Sequence, residues 1–136
     1  MPLILRRCSK STFLKFFEIG RAYTSFVIKS DDGVVIGFFL LHPYNPFEVF
    51  KETAEVSYFI KPEFVGKGIG TSALIKLQDE AKKLGIKHLL ADISSENNES
   101  IEFHKKNGFN QCGTFHSIGK KFGKIFSVVW MEKEIK

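Results

Sequence analysis

The sequence predicts an α/β domain in which a mixed sheet is flanked by helices. Three observations carry that prediction. Two runs rich in β-branched and aromatic residues, 23–28 and 34–42, flank Asp31-Asp32-Gly33 as the arms of a hairpin flank its turn. A third, alternating run, 53–60, leads through a glycine-spaced loop into an amphipathic helix and then another strand, and strands joined through a helix in this way pair in parallel. Each predicted helix also stops at a glycine, namely Gly20, Gly85 or Gly108.

Taken in order, Phe13, Leu14, Phe16, Phe17 and Ile19 recur at helical spacing after a capping Ser9 or Ser11, so a short helix is expected over 11–19. The hairpin follows, and Pro43-Tyr44-Asn45-Pro46 forms a loop. In the strand 53–60, Ala54, Val56, Tyr58 and Ile60 share one face, and Thr53, Glu55, Ser57 and Phe59 the other. A strong helix is expected over about 71–84, with Leu74, Leu77, Ala81 and Leu84 as its buried stripe. A strand over 87–92, a polar stretch, a helix ending near Asn107 and two strands, near 111–117 and 124–132, separated by a turn around 119–123, complete the chain.

With 136 residues, 43% hydrophobic and 14% aromatic, the chain has material for one packed domain, 1–136, and is not disordered by composition. Its longest apolar run, 34–41, is broken by Gly37 and is too short to cross a bilayer. Arg6 and Arg7 are followed by no unbroken apolar run, so no secretory leader is expected and the expected compartment is the cytoplasm. Cys8 and Cys112 lack C-x-x-C context and read as free thiols, and no Cys/His cluster or H-E-x-x-H motif points to a metal. A net charge of +5 favours an anionic partner. Nucleic acid is not favoured, because the lysines are dispersed and no groove-reading helix or aromatic RNA motif accompanies them.

A phosphate ligand fits the charge better. Val65-Gly66-Lys67-Gly68-Ile69-Gly70-Thr71 sits between a strand and a helix, where curled backbone and an uncapped helix start aim N–H groups into one concavity. Lys67 adds positive charge, and Thr71 or Ser72 adds a hydroxyl. The spacing is neither a Walker loop nor the dinucleotide fingerprint, and a tight turn chosen only for conformation is the structural alternative.

This glycine turn, followed downstream by Asn97, Ser100, His104 and Asn107-Gly108-Phe109, resembles the acetyl-CoA-binding core of the GNAT superfamily of N-acyltransferases. The C-terminal segments Gly113-Thr114-Phe115, Gly119 to Gly123 and Val129-Trp130-Met131 are similar to those of its phosphinothricin and methionine sulfoximine N-acetyltransferase group. The resemblance implies a mostly antiparallel central sheet that splays at the acetyl-CoA site, and it covers about 23–135. Against it, residues 1–22 are a shortened N-terminal helical part, Val65 replaces a usual Arg or Gln, and Lys51-Glu52, Ile125 and Ser127 replace group-typical residues.

The resemblance implies direct transfer from acetyl-CoA, with no metal, to the amine of a small molecule, such as an amino acid or an analogue like phosphinothricin or methionine sulfoximine. Glu55 is then the general base and His104 the acid for the departing thiolate. Tyr58, Phe59 and Ile60 offer backbone donors to pantetheine, Val65 to Thr71 hold the pyrophosphate, and Asn97 and Ser100 hold the pantetheine arm. Asn97 also reads simply as a helix N-cap. Lys51 and Phe122 fall where the group binds its acceptor, and the group's members imply a homodimer. His42, His88 and His116 read as structural or solvent-facing. The alternative function is a CoA-binding regulatory or catalytically impaired protein of the same fold.

Overall fold

The computed structural model describes residues 4–7, as backbone, and 23–136; the helix expected over 11–19, Cys8 and most of the segment 1–22 lie outside the described residues. Among the described residues, seven strands form one sheet: β1 (Ile4–Arg7), β2 (Thr24–Lys29), β3 (Val35–Pro43), β4 (Thr53–Ile60), β5 (His88–Ser94), β6 (Asn110–Lys121) and β7 (Lys124–Glu134), in the order β1-β2-β3-β4-β5-β7-β6. Every neighbouring pair is antiparallel except β4 and β5, which are parallel and joined through α1 (Ile69–Lys83). A shorter helix, α2 (Asn98–Lys106), connects β5 to β6.

The β2–β3 turn is closed by Ser30 N–H to Val34 O and Gly33 N–H to Ser30 O, both 2.9 Å, with Gly33 in the left-handed region and the Ser30 hydroxyl bonded to Asp32. Alternation then fills the core. Phe26 and Ile28 of β2, Phe39 and Leu41 of β3, and Ala54 and Val56 of β4 meet Ala73, Leu74, Leu77 and Ala81 of α1. Leu89, Ala91 and Ile93 of β5 and Val129 and Met131 of β7 extend the same layer. Truncating a fully buried leucine such as Leu77 removes about 2–5 kcal/mol of stability.

Three expectations about elements are corrected. Helix α1 begins at Ile69, because Gly68, at φ 79°, is its N-cap and lets the chain turn directly into the helix. Leu84 is its C-cap and 50% exposed, so the buried stripe ends at Ala81 and is completed at the front by Ile69 and Ala73. The turn around 119–123 shrinks to Phe122-Gly123, both at positive φ, which is the two-residue geometry whose twist lets β6 and β7 run on as one long hairpin.

Candidate active site

The parallel ladder between β4 and β5 has three residue pairs: Thr53 with His88, Ala54 with Leu89, and Glu55 with Leu90. Beyond it each strand follows its other neighbour. β4 stays paired with β3 as far as Ile60 opposite Gly37, and β5 stays paired with β7 as far as Ser94 opposite Val128. The sheet therefore branches, and among the described residues the β5-facing edge of Val56 to Ile60 has no strand partner. A cavity of about 820 Å³ fills the branch, walled by this edge, by β5 from Ala91 to Ser94, by the glycine turn and by α2.

At one end of the cavity, Gly66 and Gly68 take φ of 83° and 79°, which only glycine adopts without strain. Gly68 provides no side-chain cap, so the amides of the first turn of α1 face outward with the positive end of the helix dipole behind them. That cradle suits a phosphate. Gly70 has a second reason to be glycine, since a Cβ there would meet the Phe103 ring at 3.1 Å and close the α1–α2 approach. Lys67 does not line the cavity; its ammonium lies 5.6 Å from the centre of the Phe64 ring.

Asn97 caps α2, its Oδ1 accepting the Ser100 N–H at 3.1 Å, and it lines the cavity as well, so both readings of this residue hold. One turn on, His104 is 1% exposed, and its Nδ1 donates to the Ser100 carbonyl at 2.7 Å. Burial pulls its pKa down, partly offset by that carbonyl. The Tyr58 hydroxyl lies 3.1 Å from His104 Nε2, and burial pushes the phenol up to about 12.

Glu55 stands at the last paired position, on the sheet face opposite Tyr58, and does not itself line the cavity. The β3–β4 register sets His42 opposite it, with Nδ1 at 3.4 Å from Glu55 Oε2 and Nε2 at 3.2 Å from Ser57 Oγ. Burial, and then the negative charge of Asp92, push the Glu55 carboxyl up to about 7, while burial lowers the pKa of His42. Near neutrality the glutamate is poised between its two forms beside a neutral imidazole, as a general base needs to be.

Of the residues expected from sequence, Tyr58, Phe59, Ile60, Val65, Gly66, Gly68, Gly70, Thr71, Asn97, Ser100 and His104 all meet in the cavity wall. Ile69 is 4% exposed and belongs to the core. Lys51 pairs with Glu48 at 3.1 Å on an exposed turn, and Phe122 is 97% exposed at the tip of the β6–β7 hairpin; neither lines the cavity. His42, Asp92 and the Tyr58 hydroxyl are site groups that sequence reading passed over. His42 had no local signal, because only the β3–β4 register sets it opposite Glu55; for Tyr58 the signal was a hydroxyl on an otherwise apolar face, which needs a partner. Among the described residues no group of three His, Cys, Asp or Glu could hold a metal, and no helix is long and apolar enough to cross a membrane.

The profile of the Acetyltransferase (GNAT) family matches residues 4–109. The chain belongs to that family. Among curated GNAT relatives, the L-amino acid N-acyltransferase MnaT of Escherichia coli is 30% identical over 109 residues, covering 80% of this chain and 63% of the relative. The L-methionine sulfoximine/L-methionine sulfone acetyltransferase of Salmonella typhimurium is 31% identical, covering 80% and 64%. The match thus spans a little under two thirds of either relative. Among solved structures, a GNAT superfamily phosphinothricin acetyltransferase from Sinorhizobium meliloti in complex with acetyl-CoA superposes with a TM-score of 0.85 at 22% identity, covering 99% of this chain and 89% of that one. An N-acetyltransferase from Staphylococcus aureus gives 0.85 at 23%, with full coverage of both chains. The branched sheet is thus the GNAT fold.

Proposed function

We propose that this GNAT protein transfers the acetyl group of acetyl-CoA directly to the amine of a small molecule, an amino acid or an analogue such as phosphinothricin or methionine sulfoximine. The observation that carries this reading is the sheet branch, with a phosphate cradle at one end and a carboxylate of raised pKa at its root. The relatives' named activities support the acceptor class.

The backbone amides at Gly66 to Thr71 bind the pyrophosphate, and Asn97 and Ser100 hold the pantetheine arm along the open edge of β4. Acetyl-CoA supplies an activated acyl carbon and a thiol leaving group. Backbone N–H groups between Val56 and Ile60 orient and polarise the acyl oxygen. Glu55, in its ionised form, takes a proton from the incoming amine, directly or through water, while His42 holds its carboxylate on the open face. Lys51 and Phe122 act on the acceptor side, Phe122 from the hairpin tip. We read the chain as one cytoplasmic domain and as a homodimer; the exposed Ile118, Phe122 and Ile125 at the β6–β7 tip support the latter, and light scattering tests it.

Calorimetric titration with acetyl-CoA, then thiol release with a panel of L-methionine sulfoximine, phosphinothricin and free amino acids, tests the proposal. Binding heat and amine-dependent thiol release are expected; absence of heat overturns it. A CoA-binding module without turnover is the second reading. Val65 favours it, because a half-exposed apolar side chain on the cavity wall gives no donor to the phosphates. It predicts heat but no thiol release with any amine.

A further inference from the structure

Opposite the glutamate, the cavity wall carries a second set of polar groups, Tyr58, Ser100 and His104. Sequence reading gives the proton for the departing thiolate to His104, but the ring is poorly equipped to supply it. A carbonyl only accepts, so the short contact of Nδ1 with Ser100 O fixes the ring proton on Nδ1 and commits it there. Burial favours the neutral ring, which leaves Nε2 without a proton.

Tyr58, by contrast, keeps its proton near neutrality, because burial pushes the phenol up to about 12. Its ring is clamped by Phe39, stacked at 4.7 Å and 10°, and by Phe103, edge-on at 5.8 Å. The hydroxyl lies 3.1 Å from His104 Nε2 and 3.3 Å from Nδ1. An oxygen almost equidistant from both nitrogens cannot lie along the in-plane lone pair of either one, so the imidazole, together with Ser100, holds the phenol oxygen at the cavity wall without locking its proton onto one ring nitrogen. Tyr58 also belongs to the part of β4 beyond the branch, beside the unpartnered strand edge.

We propose that Tyr58 is the catalytic acid that protonates the leaving sulfur, and that His104 is a positioning residue that holds the phenol in place; this rests on the acetyltransferase reading above. As the C–S bond breaks, its electron pair stays on sulfur, the Tyr58 O–H bond breaks and an S–H bond forms. The phenolate oxygen regains a proton from water as the thiol leaves. The ammonium nitrogen of the acceptor loses two protons by way of Glu55 to solvent, so one proton is released per turnover. Although the phenol is a weak acid, the thiolate forms in the same desolvated cavity, which raises the thiol's pKa too and narrows the gap.

Tyr58→Phe keeps both ring contacts and removes only the hydroxyl. With acetyl-CoA, kcat is expected to fall about 100-fold with KM within about two-fold. With S-(4-nitrophenyl) thioacetate, whose thiol is acidic enough to leave without a proton, the loss shrinks to about three-fold or less. His104→Gln gives a smaller loss with the same dependence on the donor. Independently of turnover, the thiol of bound CoA, titrated by its thiolate absorbance, has a pKa about one unit higher in Tyr58→Phe than in the wild type, because the hydroxyl no longer donates to the anion. Equal losses with both donors, an unchanged bound-thiol pKa, or a loss confined to His104→Gln overturns the assignment. A wild type that binds CoA but acetylates no amine overturns the acetyltransferase reading, while the thiol titration still decides the role of Tyr58; failure to bind CoA overturns both.

Discussion

On the side of the branch that faces α2, the ligand cradle is largely backbone, namely glycines at positive φ, the amides of an uncapped helix start and an unpaired strand edge. On the opposite face the chemistry lies in side chains: Glu55 and Ser57 from β4, His42 from β3 and Asp92 from β5. Backbone recognition tolerates wide sequence change as long as the glycines remain, whereas a side-chain cluster changes with each substitution. On the proposed acetyltransferase reading, one half of the site suits a constant acetyl-CoA donor and the other an acceptor that can vary.

The sharpest way to separate the halves is Glu55→Gln. Its kcat is expected to fall about 100-fold, on the order of 3 kcal/mol of barrier, while calorimetry gives an unchanged acetyl-CoA affinity. The same variant should be more stable than the wild type at pH 8. The folded pKa of Glu55 is raised, so the unfolded carboxyl ionises first and stability drains away as pH rises from about 4.5 to about 7. Removing the charge restores on the order of 1 kcal/mol, most of the shift being discounted because the group is only half buried. Thermal melts at pH 8 and pH 4.5 check this, with a gain expected only at the higher pH.

Gly68→Ala attacks the other half. A Cβ there meets no atom within 4 Å, so the cost is backbone strain alone, about 1–2 kcal/mol. Acetyl-CoA affinity should weaken about ten-fold by titration, with kcat at saturating donor kept. Asp92→Asn has a smaller effect. Without that negative charge the Glu55 carboxyl titrates lower, so the acidic limb of the pH profile of kcat/KM, which rises through about 7 as Glu55 ionises, moves to lower pH by less than about one unit. Phe122→Ser should matter least, leaving folding within about 0.5 kcal/mol and donor affinity unchanged, and raising only the acceptor KM a few-fold. An effect of Phe122→Ser on donor binding would break the division between the halves.

The same division explains what could be read from the chain in advance. The bounds of β4 follow from strict alternation and from the Pro62 that ends it, and the cradle follows from glycine spacing before a strong helical pattern. The start of α1 lies two residues before the expected Thr71 because Gly68 works as a cap without a capping side chain. The open-face cluster was not legible, since His42 meets Glu55 only through the β3–β4 register, which no local motif encodes. The Tyr58–His104 contact joins residues 46 positions apart across two elements, and each alone reads as an ordinary packed side chain.

Among the described residues, the three-pair ladder between β4 and β5 is also the sheet's narrowest seam and the sole strand pairing between β1–β4 and β5–β7. A ligand bonded to the strands on both sides of this seam spans it like a tie bar. Binding should then do more than raise the melting temperature by mass action. It should slow amide hydrogen exchange along Val56 to Ile60 and Ala91 to Ser94 more than elsewhere in the sheet.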